Sequence, residues 1–394
     1  MLTNPRNLTI LLGSTTTVLA ATIISPALPG MAAAFADTPD VDFLVRLTLT
    51  MPALFIAVGA LFAGVLLDRI GRRPVLLASL VLYGIAGTAG FFLNSLVAIL
   101  VSRALLGLAV AGIMSGFTTL ILDYFQGSDL NKFLGLQGAF IGLGGMLFLL
   151  AGGFLAEIGW EYPFLIHLFA FLIVPGVLWS IVEPEQTAVS NTPTTNTTSP
   201  FPWRKLLPIY VTAFVGMVVF FIFPVQIPFY LAESGDVSSS QVGLALSLNT
   251  LASVVFALQY QRLKERFSFQ FIFALIFLTF SLNHFIVAAS SSYLIVVIGL
   301  LVGGVGIGLF PPNNSGWLAT LASAEIRGKA VGIMTSMIFL GQFFSPILTQ
   351  PLVTRLGLAG TFAAVGGVAL FITLLFAMGA ARQKETAVPA IKNS

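Results

Sequence analysis

The stretch GVLLDRIGRRPVL, residues 64–76, concentrates charge in a chain that has little of it. Charged residues make up only 8% of the 394 residues, and hydrophobic residues make up 57%. Gly71 permits a tight turn, and Pro74 suits the first turn of a helix. Because long apolar runs flank the stretch on both sides, it predicts a short polar turn between two membrane helices. The charged residues of the turn are Asp68, Arg69, Arg72 and Arg73.

The overall composition indicates a membrane protein. Ordinary globular domains are about a quarter charged, so this chain has too few charges to cover a water-facing surface. It contains no cysteine, which excludes disulfides and thiolate metal sites, and its net charge of +3 is too small to indicate a nucleic-acid partner. We find no phosphate-binding Gly-Lys-Ser/Thr motif and only two distant histidines. We therefore expect neither an enzyme nor an ATP-driven pump, and no cofactor or metal.

Twelve apolar runs are long enough to cross a bilayer, which takes roughly 20 residues per helix. They are too long and too uniform for the strands of a membrane barrel. The first run is also too long for a signal peptide, so we expect it to be retained. We predict an all-α membrane protein with spans at about 8–30, 44–67, 74–93, 96–122, 133–156, 162–182, 207–231, 240–260, 268–289, 293–321, 328–352 and 358–380.

A polar stretch, residues 183–205, separates the first six spans from the last six. It is rich in Thr, Pro, Ser and Asn and cannot bury a core, which is typical of a flexible linker. The sequence therefore predicts a six-helix bundle at 1–182, a linker at 183–205, and a second six-helix bundle with a short tail at 206–394.

The two predicted bundles share short motifs in the same order. Aligning Arg103 of the fourth span with Gly299 of the tenth pairs Gly107 with Gly303. The shared order and spacing indicate a duplicated six-helix unit, and parallel repeats of this kind are a transporter design.

The basic residues predict how the chain is oriented in the membrane. If both termini are cytoplasmic, fifteen of the 18 basic residues fall on the cytoplasmic side, and the positive-inside rule selects this topology. These fifteen are Arg6, Arg69, Arg72, Arg73, Lys132, Arg204, Lys205, Arg262, Lys264, Arg266, Arg327, Lys329, Arg382, Lys384 and Lys392. The predicted outer side keeps only Arg46 and Arg355.

The charged turn resembles the signature of the major facilitator superfamily, Gly-x-Leu-x-Asp-Arg-x-Gly-Arg-Arg/Lys-x-x-Leu. The resemblance covers the whole chain through the spans, the linker and the repeat, and it is nearest to the twelve-helix bacterial drug:proton antiporter branch. It implies the major facilitator fold, with two pseudo-symmetric six-helix bundles, in the bacterial cytoplasmic (inner) membrane. The matching residues are Gly64, Leu66, Asp68, Arg69, Gly71, Arg72, Arg73 and Leu76.

The resemblance implies that this turn is a conformational latch that holds the cytoplasmic side shut. Asp68 is expected at the N-terminal end of a helix in the other bundle, where the helix dipole favours an anion. Arg72 is expected to pair with Asp123 at the end of the fourth span. Arg327 belongs to a loop that resembles the family's loop before the eleventh span. The alternative is that the turn is only a positive-inside anchor.

Arg103 stands well inside a span, where a charge costs about 3 kcal/mol or more. Arg103 and Gly107 resemble a second family motif, found in the fourth span of proton-coupled drug exporters, which makes them candidates for coupling or substrate contact. The alternative is that Arg103 bonds backbone carbonyls near the outer end. The first span holds no carboxylate that could carry a proton, so proton coupling rests on the resemblance alone.

Polar and aromatic side chains on the spans that line the family's central cavity are the candidates for substrate contact. A mostly apolar wall with few polar groups suits an amphipathic substrate. The candidates are Thr22, Ser25, Phe117, Gln226, Tyr230, Asn249, Asn313, Asn314, Trp317, Gln342 and Phe343.

These observations predict a secondary active transporter that works by alternating access, as a monomer surrounded by membrane lipids. The first hypothesis is proton-coupled efflux of amphipathic small molecules. The second is a carrier for an organic anion or an anionic lipid, since Arg103 has no carboxylate nearby in the sequence. The third is a sensor or scaffold without flux.

Overall fold

The computed structural model describes residues 2–183, 201–233, 235, 237–290, 292–323 and 326–387. Every regular element in these ranges is helical, and two short 3-10 turns, Ser25–Ala27 and Tyr162–Leu168, precede α2 and α7. The helices are α1 (Pro5–Thr22), α2 (Leu28–Ala34), α3 (Val41–Ile70), α4 (Arg72–Ala89), α5 (Leu96–Tyr124), α6 (Gly127–Ile158), α7 (Phe169–Ser180), α8 (Trp203–Ala232), α9 (Ser239–Lys264), α10 (Phe269–Ala288), α11 (Tyr293–Leu321) and α12 (Arg327–Ala387).

Ten helical stretches in the described residues are long and apolar enough to cross a membrane. The last of them, α12, covers both predicted spans 328–352 and 358–380 and breaks at Gly357, whose φ is 70°. The 18-residue helix α4 occupies the place of the predicted third span. Helix α4 is not among the ten, so the described residues confirm the places of the predicted segments and leave the count of twelve membrane spans a prediction.

The predicted linker, 183–205, falls mostly outside the described residues, which leave out 184–200. The part that is described differs from the prediction at its C-terminal end. Helix α8 begins at Trp203, with the two preceding residues outside it. Arg204 and Lys205 therefore belong to the first turn of a helix and not to a linker.

Helices α1–α7 form the first bundle, and α8–α12 form the second. Within the first, α5 packs on α3 and α4, and within the second, α11 packs on α9 and α10. Between the bundles, α6 packs on α9 and α12 packs on α3. We call the end where α3 begins, next to Arg46, the Arg46 end. The end where α3 meets α4, at Gly71, is the Gly71 end.

Two close helix crossings show the duplication in three dimensions. A side chain on Gly107 of α5 would collide with the carbonyl of Pro52 in α3, and one on Gly304 of α11 would collide with the carbonyl of Asn249 in α9. The counterpart of Gly107 is therefore Gly304. The pairing of Gly107 with Gly303 was wrong by one residue, because adjacent glycines cannot be told apart by sequence, whereas only one of them can face α9.

The apolar core is continuous at the Arg46 end and divided at the Gly71 end. One buried cluster joins Leu28 and Val45 of the first bundle to Phe223 of the second. The buried members of a second cluster all come from the first bundle, and those of a third all come from the second. Methyl groups added at Gly64 of α3 or Gly328 of α12 would meet nothing within 4 Å. The buried apolar core thus joins the bundles at the Arg46 end, whereas at the Gly71 end each buried cluster stays within one bundle, with Phe339 of α12 packed against the cluster of the first.

Candidate functional site

The charged turn is built around Gly71, whose φ of 101° is unfavourable for any residue with a side chain. A Cβ at this position would also lie 2.9 Å from a carboxylate oxygen of Glu183. That carboxylate accepts hydrogen bonds from the backbone N–H groups of Arg72 (2.6 Å) and Arg73 (2.8 Å). Since a helix N-terminus offers unpaired N–H groups and a partial positive charge, Glu183 fixes the start of α4.

The side chains of the turn connect three helices of the first bundle. Arg72 Nε lies 3.2 Å from Asp123 Oδ2 at the end of α5, which is the pairing that the sequence predicts. Arg73 donates to the carbonyl of Leu178, and Tyr124 donates to the carbonyl of Val182. The ends of α4, α5 and α7 are therefore tied together at the Gly71 end.

The remaining predicted latch residues lie around this turn and on the second bundle. Asp68 and Arg69 are exposed at the end of α3, and Arg327 is exposed as the first residue of α12. The contact of Asp68 with the second bundle stays a prediction. Glu183 is the residue that sequence reasoning missed, because an acid beside a linker shows no pattern until the fold brings it to the turn.

Arg103 is fully buried inside the first bundle. Its Nη2 donates to the carbonyls of Gly87 (2.6 Å) and Ala86 (3.4 Å) of α4, and its guanidinium carbon lies 4.7 Å from the centre of the Phe164 ring. Its Nε and Nη1 are buried without a hydrogen-bond partner. The carbonyl contacts agree with the structural alternative for this residue, and Gly107 serves the close crossing of α5 with α3.

Two other buried polar side chains, Tyr83 and His167, lie in the same part of the first bundle as Arg103. The His167 ring lies 5.4 Å from the ring of Tyr83, and its Nδ1 hydrogen-bonds the carbonyl of Phe164 at 2.9 Å. The hydroxyl of Tyr83 donates to the carbonyl of Thr16 at 2.9 Å. The position of Gly87 allows this packing, because a side chain there would overlap His167. The first bundle therefore encloses a polar cluster of its own.

At the Arg46 end, side chains bridge the two bundles. Arg46, only 3% exposed, donates from Nε to Gln226 Oε1 of α8 at 2.9 Å and from Nη1 to the carbonyl of Asp42 at 2.7 Å. Its guanidinium carbon lies 4.2 Å from the centre of the Phe229 ring. Ser25 donates to the carbonyl of Pro224 in α8. The sequence placed Arg46 on the outer side but assigned it no role.

Helices α6 and α9 make the second bridge between the bundles. A Cβ on Gly153 would lie 2.8 Å from the carbonyl oxygen of Ser239 and 3.0 Å from the Cα of Gly243, so the two backbones touch. Ser247 Oγ donates to the carbonyl of Met146 at 2.9 Å, and the backbone N–H of Ser240 donates to Glu157 Oε1 of α6 at 3.3 Å. These contacts close the Arg46 end between α6 and α9.

Most of the predicted cavity residues hold the scaffold together in this arrangement. Ser25 and Gln226 lie in the closed Arg46 end. Five others bond or pack within their own bundle: Asn249 donates to Leu300 O (2.6 Å), Tyr230 to Val287 O (2.8 Å), Asn313 to Phe269 O (3.1 Å) and Asn314 to Phe310 O (3.0 Å), while Phe117 packs beside Gly13.

The other four predicted cavity residues make fewer contacts that hold helices together. Trp317 packs 5.5 Å from Phe273, and Thr22 donates to a backbone carbonyl of its own helix. Gln342 is buried, with an Oε1 that lacks a hydrogen-bond partner, and Phe343 beside it is half-buried. Their contact with a substrate stays a prediction.

Two helical bundles that repeat the same helix crossings form the architecture of a secondary transporter. The family model of the Major Facilitator Superfamily matches residues 10–235 and 209–393, and this chain belongs to that superfamily. It is an integral membrane protein of a transporter family.

Proteins similar to this chain include two relatives by sequence and one solved structure with the same fold. The chain is 23% identical over 311 residues to the quinolone resistance protein NorA of Staphylococcus aureus (strain MSSA476), covering 74% of this chain and 76% of NorA. It is 32% identical over 130 residues to the niacin transporter NiaP of Acinetobacter baylyi, a match that covers 32% of this chain and only 30% of the relative. The crystal structure of the nucleoside transporter NupG superimposes with a TM-score of 0.77 at 11% identity, covering 95% of this chain and 98% of that one.

Proposed function

We propose that this protein exports amphipathic small molecules by alternating access, driven by a proton gradient. The observation that carries the proposal is the asymmetry of the two ends, since buried contacts seal the Arg46 end while the apolar core is divided at the Gly71 end. The similarity over 74% of this chain to NorA, a quinolone resistance protein, supports export, because a transporter can give resistance by removing the compound from the cell. The similarity to bacterial relatives supports a bacterial inner membrane location, and the distribution of basic residues supports cytoplasmic termini. The Gly71 end then faces the cytoplasm.

In this proposal the charged turn is the latch of the outward-facing state. Glu183 and the pair of Arg72 with Asp123 hold the turn in place while the Gly71 end is open. When that end closes, Asp68 meets the N-terminus of α12 at Arg327. An anion at a helix N-terminus is worth about 0.3–1 kcal/mol at an exposed site, so the latch shifts a balance between states rather than locking one.

The second candidate is a carrier for organic anions. Niacin and the quinolones are both aromatic compounds with a carboxylate, and both stand in the names of relatives. The burial of Arg103 against carbonyls of its own bundle does not favour Arg103 as the residue that grips such an anion. An anionic substrate therefore calls for a different cationic contact.

The test is flux in proteoliposomes that contain the purified protein. A fluorescent quinolone should accumulate against its gradient when a pH gradient is applied, and dissipating that gradient should stop accumulation. Asp68→Asn should lower flux severalfold, whereas Asp129→Asn, at an exposed carboxylate, should leave it unchanged. Flux that is indifferent to the pH gradient would contradict proton coupling. Absence of any flux would favour a sensor or scaffold.

Orientation is tested separately with single cysteines, because the chain contains none of its own. Lys132→Cys at the Gly71 end should react with an impermeant maleimide only from the cytoplasmic side. Asp37→Cys, in the exposed segment before α3, should react only from outside. Labelling of both from one side would overturn the proposed topology.

A further inference from the structure

Arg46 is a buried cation, and within the described residues its hydrogen bonds go to neutral acceptors. Nε donates to the amide oxygen of Gln226, and Nη1 donates to the backbone carbonyl of Asp42. The carboxylates of Asp42 and Glu233 interact with it electrostatically, yet neither lies within the 4.0 Å of a salt bridge. A buried guanidinium is stabilised best by an anion that can accept two parallel hydrogen bonds.

Gln226 adds a second donor beside this guanidinium. The amide Nε2 of Gln226 is buried and has no hydrogen-bond partner, which is a costly state for a polar group. The ring of Phe229, one turn further along α8, covers the guanidinium of Arg46 at 4.2 Å. Two donor groups and an aromatic face therefore meet where the bundles touch.

This contact cannot persist through a transport cycle. Because it joins α3 to α8 across the two bundles, it has to break whenever the Arg46 end opens. Arg46 then loses the acceptor on its Nε beside the apolar residues Val45 and Leu49. An unpaired charge in apolar surroundings is unfavourable. A carboxylate that arrives with the substrate would restore the lost acceptor.

We infer that Arg46 and Gln226 form a carboxylate-binding site, where the carboxylate of an amphipathic organic acid replaces Gln226 as the acceptor for Arg46 and so allows the Arg46 end to open. The ring of Phe229 flanks the apolar part of that molecule. The inference rests on the proposed alternating access and deepens it, since it names the chemical group that the cargo presents and the residues that take it.

The probe is a matched pair of ligands, nicotinate and nicotinamide, which share a ring and differ in charge. The reporter is Leu49→Cys, a single cysteine on α3 one turn from Arg46, at a position that is 1% exposed in the closed end. Its rate of reaction with an impermeant maleimide measures opening of the Arg46 end. Nicotinate should raise that rate at least about threefold in the full-length purified protein, and nicotinamide should leave it unchanged.

Three variants test the two donor groups in the reporter background. Arg46→Gln should abolish the response to nicotinate, and Arg46→Lys should weaken it, since lysine keeps the charge and loses the planar fork. Gln226→Glu supplies a built-in carboxylate, so it should lower the basal rate about tenfold and remove the response, because a hydrogen bond between charged groups has about that effect on an equilibrium. Arg355→Gln, at an exposed arginine of α12, is the control and should behave like the parent.

Equal responses to the two ligands, or a response to neither, would overturn the inference, and so would a nicotinate response that survives in Arg46→Gln. Thermal unfolding of each variant shows whether it is folded. Gln226→Glu should lower the basal labelling rate, whereas a damaged fold would expose the cysteine and raise it. The proposed function fails in a different way, through absence of flux in proteoliposomes while the ligand-specific labelling persists.

Discussion

The two bundles share one scaffold and place different chemistry on it. In the first, Gly107 of α5 lies against a backbone carbonyl of α3, and in the second, Gly304 of α11 lies against a backbone carbonyl of α9. One turn before Gly107 stands Arg103, whose guanidinium takes carbonyls of α4. One turn before Gly304 stands Leu300, whose carbonyl accepts a hydrogen bond from Asn249. The position one turn before the crossing glycine is therefore a buried cation that bonds α4 in the first bundle and a leucine whose carbonyl accepts from a neutral amide of α9 in the second.

The α3–α4 turn of the first bundle and the α9–α10 turn of the second also differ in their charged contacts. The α3–α4 turn is held by Glu183 and by the salt bridge of Arg72 with Asp123. At the equivalent place, Lys264 lies 4.1 Å over the Phe269 ring, and Ser268 caps α10 by accepting a hydrogen bond. The two bundles share the backbone crossings, and the α3–α4 turn has a salt bridge where the α9–α10 turn has a cation–ring contact.

Larger side chains at the two helix crossings test whether Gly107 and Gly304 are structurally equivalent. Gly107→Leu and Gly304→Leu should each destabilise the protein by about 3 kcal/mol or more, because the new side chain has no space against the neighbouring backbone. Thermal unfolding in detergent measures both, with Gly64→Ala as a control in open space. Tolerance of leucine at one position alone would show that the two glycines are not equivalent.

The positions one turn earlier should respond unequally to the same residue. Arg103→Met should cost about 1–3 kcal/mol, because two buried carbonyls lose their donor. Leu300→Met conserves volume and should cost less than about 1.5 kcal/mol. Denaturation of both purified variants provides the measurement. If Arg103→Met is the more stable of the two variants, the buried guanidinium destabilises the fold, and its role lies in transport.

The two helix starts offer a smaller and more even contrast. Glu183→Gln should cost about 1 kcal/mol, since it removes a carboxylate from two backbone N–H groups and from the helix dipole. Ser268→Ala should cost a similar amount through loss of an N-cap. Salt separates them, because the effect of Glu183→Gln should shrink as ionic strength rises and that of Ser268→Ala should not. The same salt dependence in both would contradict the charged role of Glu183.

The smallest expected effects on stability are at the exposed pairs. Asp123→Asn breaks a salt bridge whose side chains are 17% and 27% exposed, and Lys264→Met breaks a surface cation–ring contact, so each should change stability by less than about 1 kcal/mol. Transport should distinguish them, with flux reduced for Asp123→Asn and unchanged for Lys264→Met. Equal flux in both variants would leave the salt bridge without a role in the cycle.

What the sequence could predict is what local chemistry determines. Apolar runs gave the helices, glycine and proline gave the turn at Gly71, and the pairing of Arg72 with Asp123 followed from a known motif. Glu183 and Arg46 escaped prediction because their roles depend on distant segments meeting. A carboxylate beside a linker and an arginine near a helix start have no recognisable pattern until α7 reaches α4 and α3 reaches α8.

The contact of Gly153 with Gly243 has a mechanical consequence. It stands close to one end of the 32-residue helix α6, so roughly 40 Å of that helix extends from it toward the Gly71 end at 1.5 Å per residue. If the bundles pivot there, a tilt of about 10° displaces the far end by roughly 7 Å. The contact then acts as the fulcrum of a long lever, on which small forces at the Gly71 end have large leverage.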